Sequence, residues 1–360
     1  MKFYKTIDIY ITKKFLGTFF YAIALILSIA IVFDVSENLD EFISKDIPGK
    51  VIVFDYYMNF IPYFANLFSP LFTFIAVIYF TSKMAYDTEI IAILSSGVSY
   101  PRLMRPYLVS ALILASFSFV LGNYVIPPAN KTLNDFRHKY IDQNSILTER
   151  NIHRQIEPGV YIYMQSFNAS NVGYRFTLER FNGSKLVEKL TADYIRFDSD
   201  TKKWIINNAW KRTIYDDHEV IESNIYRIDT TLNMSPSDYK MTKNEMETFT
   251  TPALKKEIKR MKMRGVNSVE WEIEKHKRVA GPFSAFILTI IGAGLASRKI
   301  KGGLGFHLGL GLLLSFSYIL FMQVSTVFAI SGNAPPVLAV WIPNLGYSII
   351  AFFVFRWAAR

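Results

Sequence analysis

"DTEIIAILSSGVSYPRL", Asp87 to Leu103, decides how this chain is read. It is too short and polar to cross a bilayer, yet too apolar for a plain loop. On a helical wheel Ile90, Ile91, Ile93 and Leu94 fall on one face, and Thr88, Glu89, Ala92, Ser95 and Ser96 on the other. Asp87 is suited to cap the start, and Gly97 and Pro101 to end it. The expectation is a short amphipathic helix over about 87–97, its apolar face against the ends of membrane spans. Its other face is small-residued and carries one carboxylate, Glu89. A partner can approach closely there and pair an arginine with it. An interfacial helix with a solvated glutamate fits the same pattern.

Working outward, uncharged runs of span length, roughly 17–25 residues, flank this segment and recur along the chain. They are Phe15–Phe33, Tyr56–Ser82, Pro106–Ile126, Val279–Ser297, Leu304–Ile330 and Val337–Phe355. The composition agrees with spans plus one water-exposed domain: 51% hydrophobic, 16% aromatic and a mean hydropathy of +0.20. The +10 net charge reads as the lysine and arginine bias of cytoplasmic edges, and no nucleic-acid motif accompanies it. Lys2, Lys5, Lys13 and Lys14 precede the first span, and acidic residues from Asp34 to Asp55 follow it. Lys83, Arg102, Arg105, Arg298, Lys299, Lys301, Arg356 and Arg360 complete one topology with both termini cytoplasmic. No cleavable signal peptide is evident.

The expected organisation is residues 1–130 for spans one to three, 131–250 for an outward-facing β domain, 251–278 for linker helices and 279–360 for spans four to six. The domain reads as β from aromatic and branched runs such as "VYIYMQSF", "YRFTLERF" and "KWIINNAWKRTIYD". Turn signals at Asn182-Gly183 and Asp216-Asp217 divide them, which favours a sandwich or jelly roll. Alternation puts Ile162 and Met164, and Phe176 and Leu178, on shared faces. Thr251 is the expected N-cap of a following helix and Gly265 its stop.

Several chemistries have no residues to perform them. The chain has no cysteine, and no phosphate-cradling GxxxxGK[ST] or zinc-binding HExxH. Its five histidines are scattered without metal spacing. The span interiors carry no Asp, Glu, Lys or Arg, which argues against ion-coupled transport and intramembrane acid–base chemistry. Gly305 and Gly309 in "GGLGFHLGLG" read as close helix packing. If the protein moves anything, its energy comes from another chain.

The order and spacing of "TEIIAILSSGVS", "EKHKRVAGPFSAFIL", "GGLGFHLGLGLLLSFSYIL" and "NAPPVLAVWIPNLGYSII" resemble the lipopolysaccharide export permeases LptF and LptG, over essentially the whole chain. The compact length leans towards LptG. The resemblance implies six transmembrane helices, 3+3, around a periplasmic β-jellyroll, in the inner membrane. It implies a paralogous permease partner, a dimer of the LptB-type ATPase that binds the ATP and magnesium, and periplasmic jelly-roll proteins of the LptC/LptA type. Lipopolysaccharide would be the cargo, and this chain would hold no cofactor, metal or catalytic residue of its own. Asp87, Glu89, Ala92, Ser96 and Gly97 would form the ATPase-docking helix, and Ile162, Met164, Phe176 and Leu178 a lipid path.

One departure stands out. The family often carries basic residues near the outer end of span one, where this chain has Asp34, Glu37, Asp40 and Glu41. Lys275, Lys277 and Arg278 are substitute candidates for anionic head groups. A membrane sensor or assembly factor with a periplasmic β domain is the alternative, but every expected cytoplasmic segment is too short for an output domain. A lipid transferase would have only the acidic cluster at 34–46 to work with.

Overall fold

The computed structural model describes residues 6–141, 147–148, 150–168, 170–236, 239–241, 245–263, 265–298 and 303–360. Lys2, Lys5, Lys299 and Lys301 lie outside them. The chain divides into two compact units, one helical (within 1–141, 246–255 and 269–360) and one mainly β (within 142–245 and 256–268).

In the helical unit, five helices among the described residues are long and apolar enough to cross a membrane, and a bent pair makes a sixth. The first helix, Thr6–Ser44, has 39 residues. At 1.5 Å per residue it is about 58 Å long, well over the ~30 Å of a hydrocarbon core. Ile11, Phe15, Phe19, Ile23 and Leu27 recur every fourth residue and are all buried, so one stripe faces the other helices. The second helical stretch, Gly49–Tyr86, contains a wide turn of π type at Ile52–Tyr57. The third runs from Tyr100 to Ile141 through two such turns. It therefore extends beyond residue 130, the expected end of the membrane part, and the strands begin only at Leu147.

The bent pair is Val269–Ala280 and Phe283–Ala296, which meet at 51°. Gly281 and Pro282 form the break, since a proline inside a helix removes one backbone donor and clashes with the preceding turn. Asn344 repairs part of it: its Nδ2 donates to the Ala280 carbonyl at 2.9 Å, and its Oδ1 accepts from Tyr318 Oη at 2.8 Å. Helices Gly303–Ile330 and Pro336–Ala358 complete the unit. A Cβ at Gly311 would lie 2.5 Å from Ile78 Cδ1, and one at Gly292 would press on Val77 and Phe74 at 3.0–3.1 Å. Close helix contacts inside this chain lie there and at Gly294, where a Cβ would lie 2.5 Å from Val354 Cγ1. At Gly305 and Gly309 a Cβ would meet nothing within 4 Å, so these two take no part in packing within the chain.

The β unit holds a six-stranded antiparallel sheet whose strands pair in chain order. They are β2 (Arg150–Glu157), β3 (Val160–Phe167), β4 (Val172–Asn182), β5 (Lys185–Asp198), β6 (Lys203–Ile214) and β7 (Glu219–Thr230). β1 (Leu147–Thr148) pairs separately with β8 (Lys240–Met241). The Asn182-Gly183 signal is a hairpin turn between β4 and β5, with Gly183 at φ +61°. Helix Thr251–Met263 follows. Its N-terminal acceptor is the Thr250 carbonyl, bonded by Leu254 N–H, whereas the Thr251 hydroxyl donates to Asn123 Oδ1 at 2.7 Å. Thr251 is thus a tie to the third helix and not the cap.

Candidate functional site

The opening stretch forms a helix over Glu89–Ser95. Asp87 does not cap it: Asp87 N–H bonds the Lys83 carbonyl and closes the helix before. The direction change falls on Thr88, at φ +63°, a left-handed conformation uncommon outside glycine. Gly97, at φ +87°, ends the helix.

Ile90 is the buried anchor. It shares one cluster with Ile11, Phe15, Phe80, Met84, Tyr100, Leu103 and Tyr107, with Ile93 and Leu94 packed against it. Burying one such side chain is worth about 1.5–3 kcal/mol. Phe15, Phe80 and Tyr107 stack behind it, with centroids 5.3–6.5 Å apart. Ile91, expected on this apolar face, is 52% exposed. With Ala92, Ser95, Ser96 and Gly97 it forms the open side of the helix. The open face is therefore small-residued with one apolar knob, Ile91, which the wheel places on the other side.

Glu89 is not isolated. Tyr10 Oη donates to both of its oxygens, at 3.0 and 2.8 Å, and Lys14 Nζ lies 3.3 Å from Oε1. The Lys14 ammonium also sits 4.3 Å from the centre of the Tyr10 ring. The Lys14 and Glu89 side chains remain 30% and 32% exposed, and an ion pair this open is worth about 0–1 kcal/mol. On the other flank, Arg102 donates to both oxygens of Asp8, 2.7 Å each. That pair is planar, bidentate and deeper, with Asp8 buried.

A second set of charges lies at the opposite end of the helices. Arg278 is buried. Its Nε donates to Glu274 at 2.8 Å, Nη1 to the Phe249 carbonyl at 2.7 Å and to Thr251 Oγ1 at 3.3 Å, and Nη2 to the Met246 carbonyl at 3.3 Å. Its fork brackets the segment Met246–Thr251, so its donors are engaged within the chain. Lys277 lines a cavity of about 250 Å³ together with Tyr63, Asn66, Ser118, Glu247 and Glu274. Lys275 is half-buried on the same helix. Glu247 accepts from Asn130 Nδ2 at 3.3 Å. Burial, with the Glu274 carboxylate beside it, pushes its pKa up to about 7 against the pull of Lys277 and Arg278.

Asp34, in the acidic end of the first helix, accepts from Tyr56 Oη and Tyr57 Oη, both at 3.1 Å. Arg137 donates to Tyr56 Oη at 3.1 Å. A guanidinium 81 positions from Tyr56 is thus linked through that hydroxyl to the acidic end of the first helix, which spacing in the sequence does not reveal.

In the β unit, Ile162, Met164, Phe176 and Leu178 are all buried in one cluster with Trp204. Ile162 pairs Leu178 across β3 and β4. A Cβ at Gly173 would lie 2.4 Å from Met164 Sδ, so the sheet's inner face is filled.

The model of the family described as lipopolysaccharide export system permease LptF/LptG matches residues 9–357. The chain belongs to that family. It is a membrane permease for lipopolysaccharide export, a transport protein and not an enzyme. A comparison with curated proteins found no match. As a member of an LptF/LptG system it works with partner proteins.

Proposed function

We propose that this chain is one of two paired permease subunits of an ATP-driven exporter, and that helix Glu89–Ser95 is where an LptB-type ATPase docks. Both termini and this helix face the cytoplasm. The β unit is a jelly roll in the periplasm, built to hand lipopolysaccharide on to jelly-roll proteins of the LptC/LptA type. The ATP and magnesium belong to the ATPase.

The observation that carries the docking reading is the helix itself. Its buried Ile90 fixes it to the spans, while Ile91, Ala92, Ser95 and Ser96 stay open beside a carboxylate held by weak, exposed contacts. Small residues let another chain approach closely, and the Glu89 carboxylate has acceptor sites left for an incoming arginine. Asp87 and Gly97 bound the surface. At the other end, Lys275 and Lys277 would meet anionic head groups, with Arg278 holding the wall from which Lys277 projects into the cavity. Ile162, Met164, Phe176 and Leu178 would carry acyl chains once the filled inner face of the sheet opens. Gly305 and Gly309, unopposed within the chain, would take the close approach of the paired permease.

The test is co-purification of the ATPase with Glu89→Lys. Losing an interfacial charge partner typically costs about 2–5 kcal/mol, so the complex should fall apart on an affinity column while the permease still reaches the membrane. Wild-type recovery of the ATPase would refute docking at this helix.

A further inference from the structure

Tyr10 and Lys14 are one helical turn apart and project from the same side of the first helix, as positions i and i+4 do. Ile11 and Phe15, on the adjoining face, are buried. The start of the first helix is therefore two-faced: one face packs into the helical unit, and the other reaches over to Glu89. Asp8 grips Arg102 at the start of the third helix, with two bonds of 2.7 Å. The short helix and the turn after it are thus tied to the first helix on both sides, by Tyr10 and Lys14 before it and by Asp8 after it. Tyr10 shares its one hydroxyl hydrogen between the two carboxylate oxygens of Glu89, at 3.0 and 2.8 Å.

We infer that Tyr10 and Lys14 are positioning residues for transport: they clamp Glu89 to the first span, so that displacement of the short helix is carried directly into that span. The inference rests on the docking reading, since it needs a partner to push the helix. It goes beyond that reading in naming where the push goes. When an arginine of the ATPase approaches, Lys14, whose 3.3 Å contact is the longest of the three on Glu89, gives way. Tyr10, a neutral donor, stays bonded to the same carboxylate, because a carboxylate has acceptor sites for several donors. The tie to the first span is therefore kept while docking occurs.

The experiment uses the whole complex, with the paired permease and the ATPase, in lipid nanodiscs. The chain has no cysteine of its own, so Ser36→Cys and Thr132→Cys place two spin labels on it, at the far ends of the first and third helices. Their separation is measured with and without ATP and vanadate. The nucleotide should shift the separation in the otherwise unaltered chain. In Tyr10→Phe/Lys14→Gln the shift should fall to less than half, the remainder being carried by the Ile90 packing, and export per ATP should fall with it, while the ATPase still co-purifies in normal amount. Lys14→Arg, which keeps the cation, should retain the shift. Tyr10→Phe alone should reduce it, and this milder change keeps the test available if the double variant accumulates poorly. A nucleotide-dependent shift that survives unchanged in Tyr10→Phe and in the double variant overturns the clamp. So does loss of the ATPase from the double variant, which would make these residues part of the docking surface. Failure of the docking reading has a different signature, normal ATPase recovery with Glu89→Lys.

Discussion

The two ends of the helical unit both use charge, and they use it in opposite ways. At one end Glu89 is held by a tyrosine and a lysine in contacts about one-third open to water. At the other, Arg278 is buried and spreads its donors over a carboxylate, two backbone carbonyls and a hydroxyl. An exposed pair contributes little and exchanges easily. A buried guanidinium with every partner supplied is costly to disturb, because whatever is removed leaves desolvated groups behind. Contacts that can be exchanged at little cost thus stand at one end, and contacts that hold a segment still at the other.

The contrast can be broken most severely at the buried end. Arg278→Ala strands Glu274 and the carbonyls of Met246 and Phe249, and should cost about 3–5 kcal/mol. Limited proteolysis of purified permease should then cut within 246–251, where the unaltered chain resists. A smaller effect, on the order of 3 kcal/mol at most, comes from Glu247. Its pKa is raised, so its carboxyl is favoured in the neutral form when folded. Stability is full below the ordinary carboxylate value of 4.5 and is lost as pH rises through about 7. Backbone amides of 246–250 should therefore exchange faster at pH 8 than at pH 5, beyond the intrinsic pH effect, and Glu247→Gln should flatten that difference.

At the open end the numbers shrink. Asp8→Asn weakens a bidentate pair and should lower thermal stability by about 1–2 kcal/mol. Lys14→Ala, measured the same way, should cost under about 1 kcal/mol, and 0.5 M salt should remove most of that. Ile91→Ser should change stability by less than about 0.5 kcal/mol and yet weaken recovery of the ATPase. If Ile91→Ser is as destabilising as Arg278→Ala, the open end is a core and the contrast fails.

The chain's order of uncharged and β-rich runs was enough to place the helices and the sheet, because a bilayer tolerates few ways of satisfying a backbone and strands announce themselves by alternation and turns. The short helix was legible for the same reason, since its periodicity and the glycine after it are local. Its orientation was not. Thr88 starts the helix from a left-handed conformation, and Ile91, about 100° round the helix from buried Ile90, falls outside the packed stripe. Contacts set by tertiary structure were also hidden: Glu89 meets residues 75 and 79 positions away. Arg278 looks in sequence like the neighbouring lysines, and only packing shows that its donors are turned inward on the chain.

The bond from Asn344 to the Ala280 carbonyl joins residues 64 positions apart, across the break in the fourth helix. That carbonyl leaves the ribosome long before the asparagine that satisfies it. Until the last helix is inserted, the bend must either be solvated by water or remain unformed as a straighter segment, since an unpaired carbonyl in hydrocarbon costs several kcal/mol. The final helix thus completes the bend in the fourth. A chain halted before Pro336 would lack the side chain that satisfies this carbonyl.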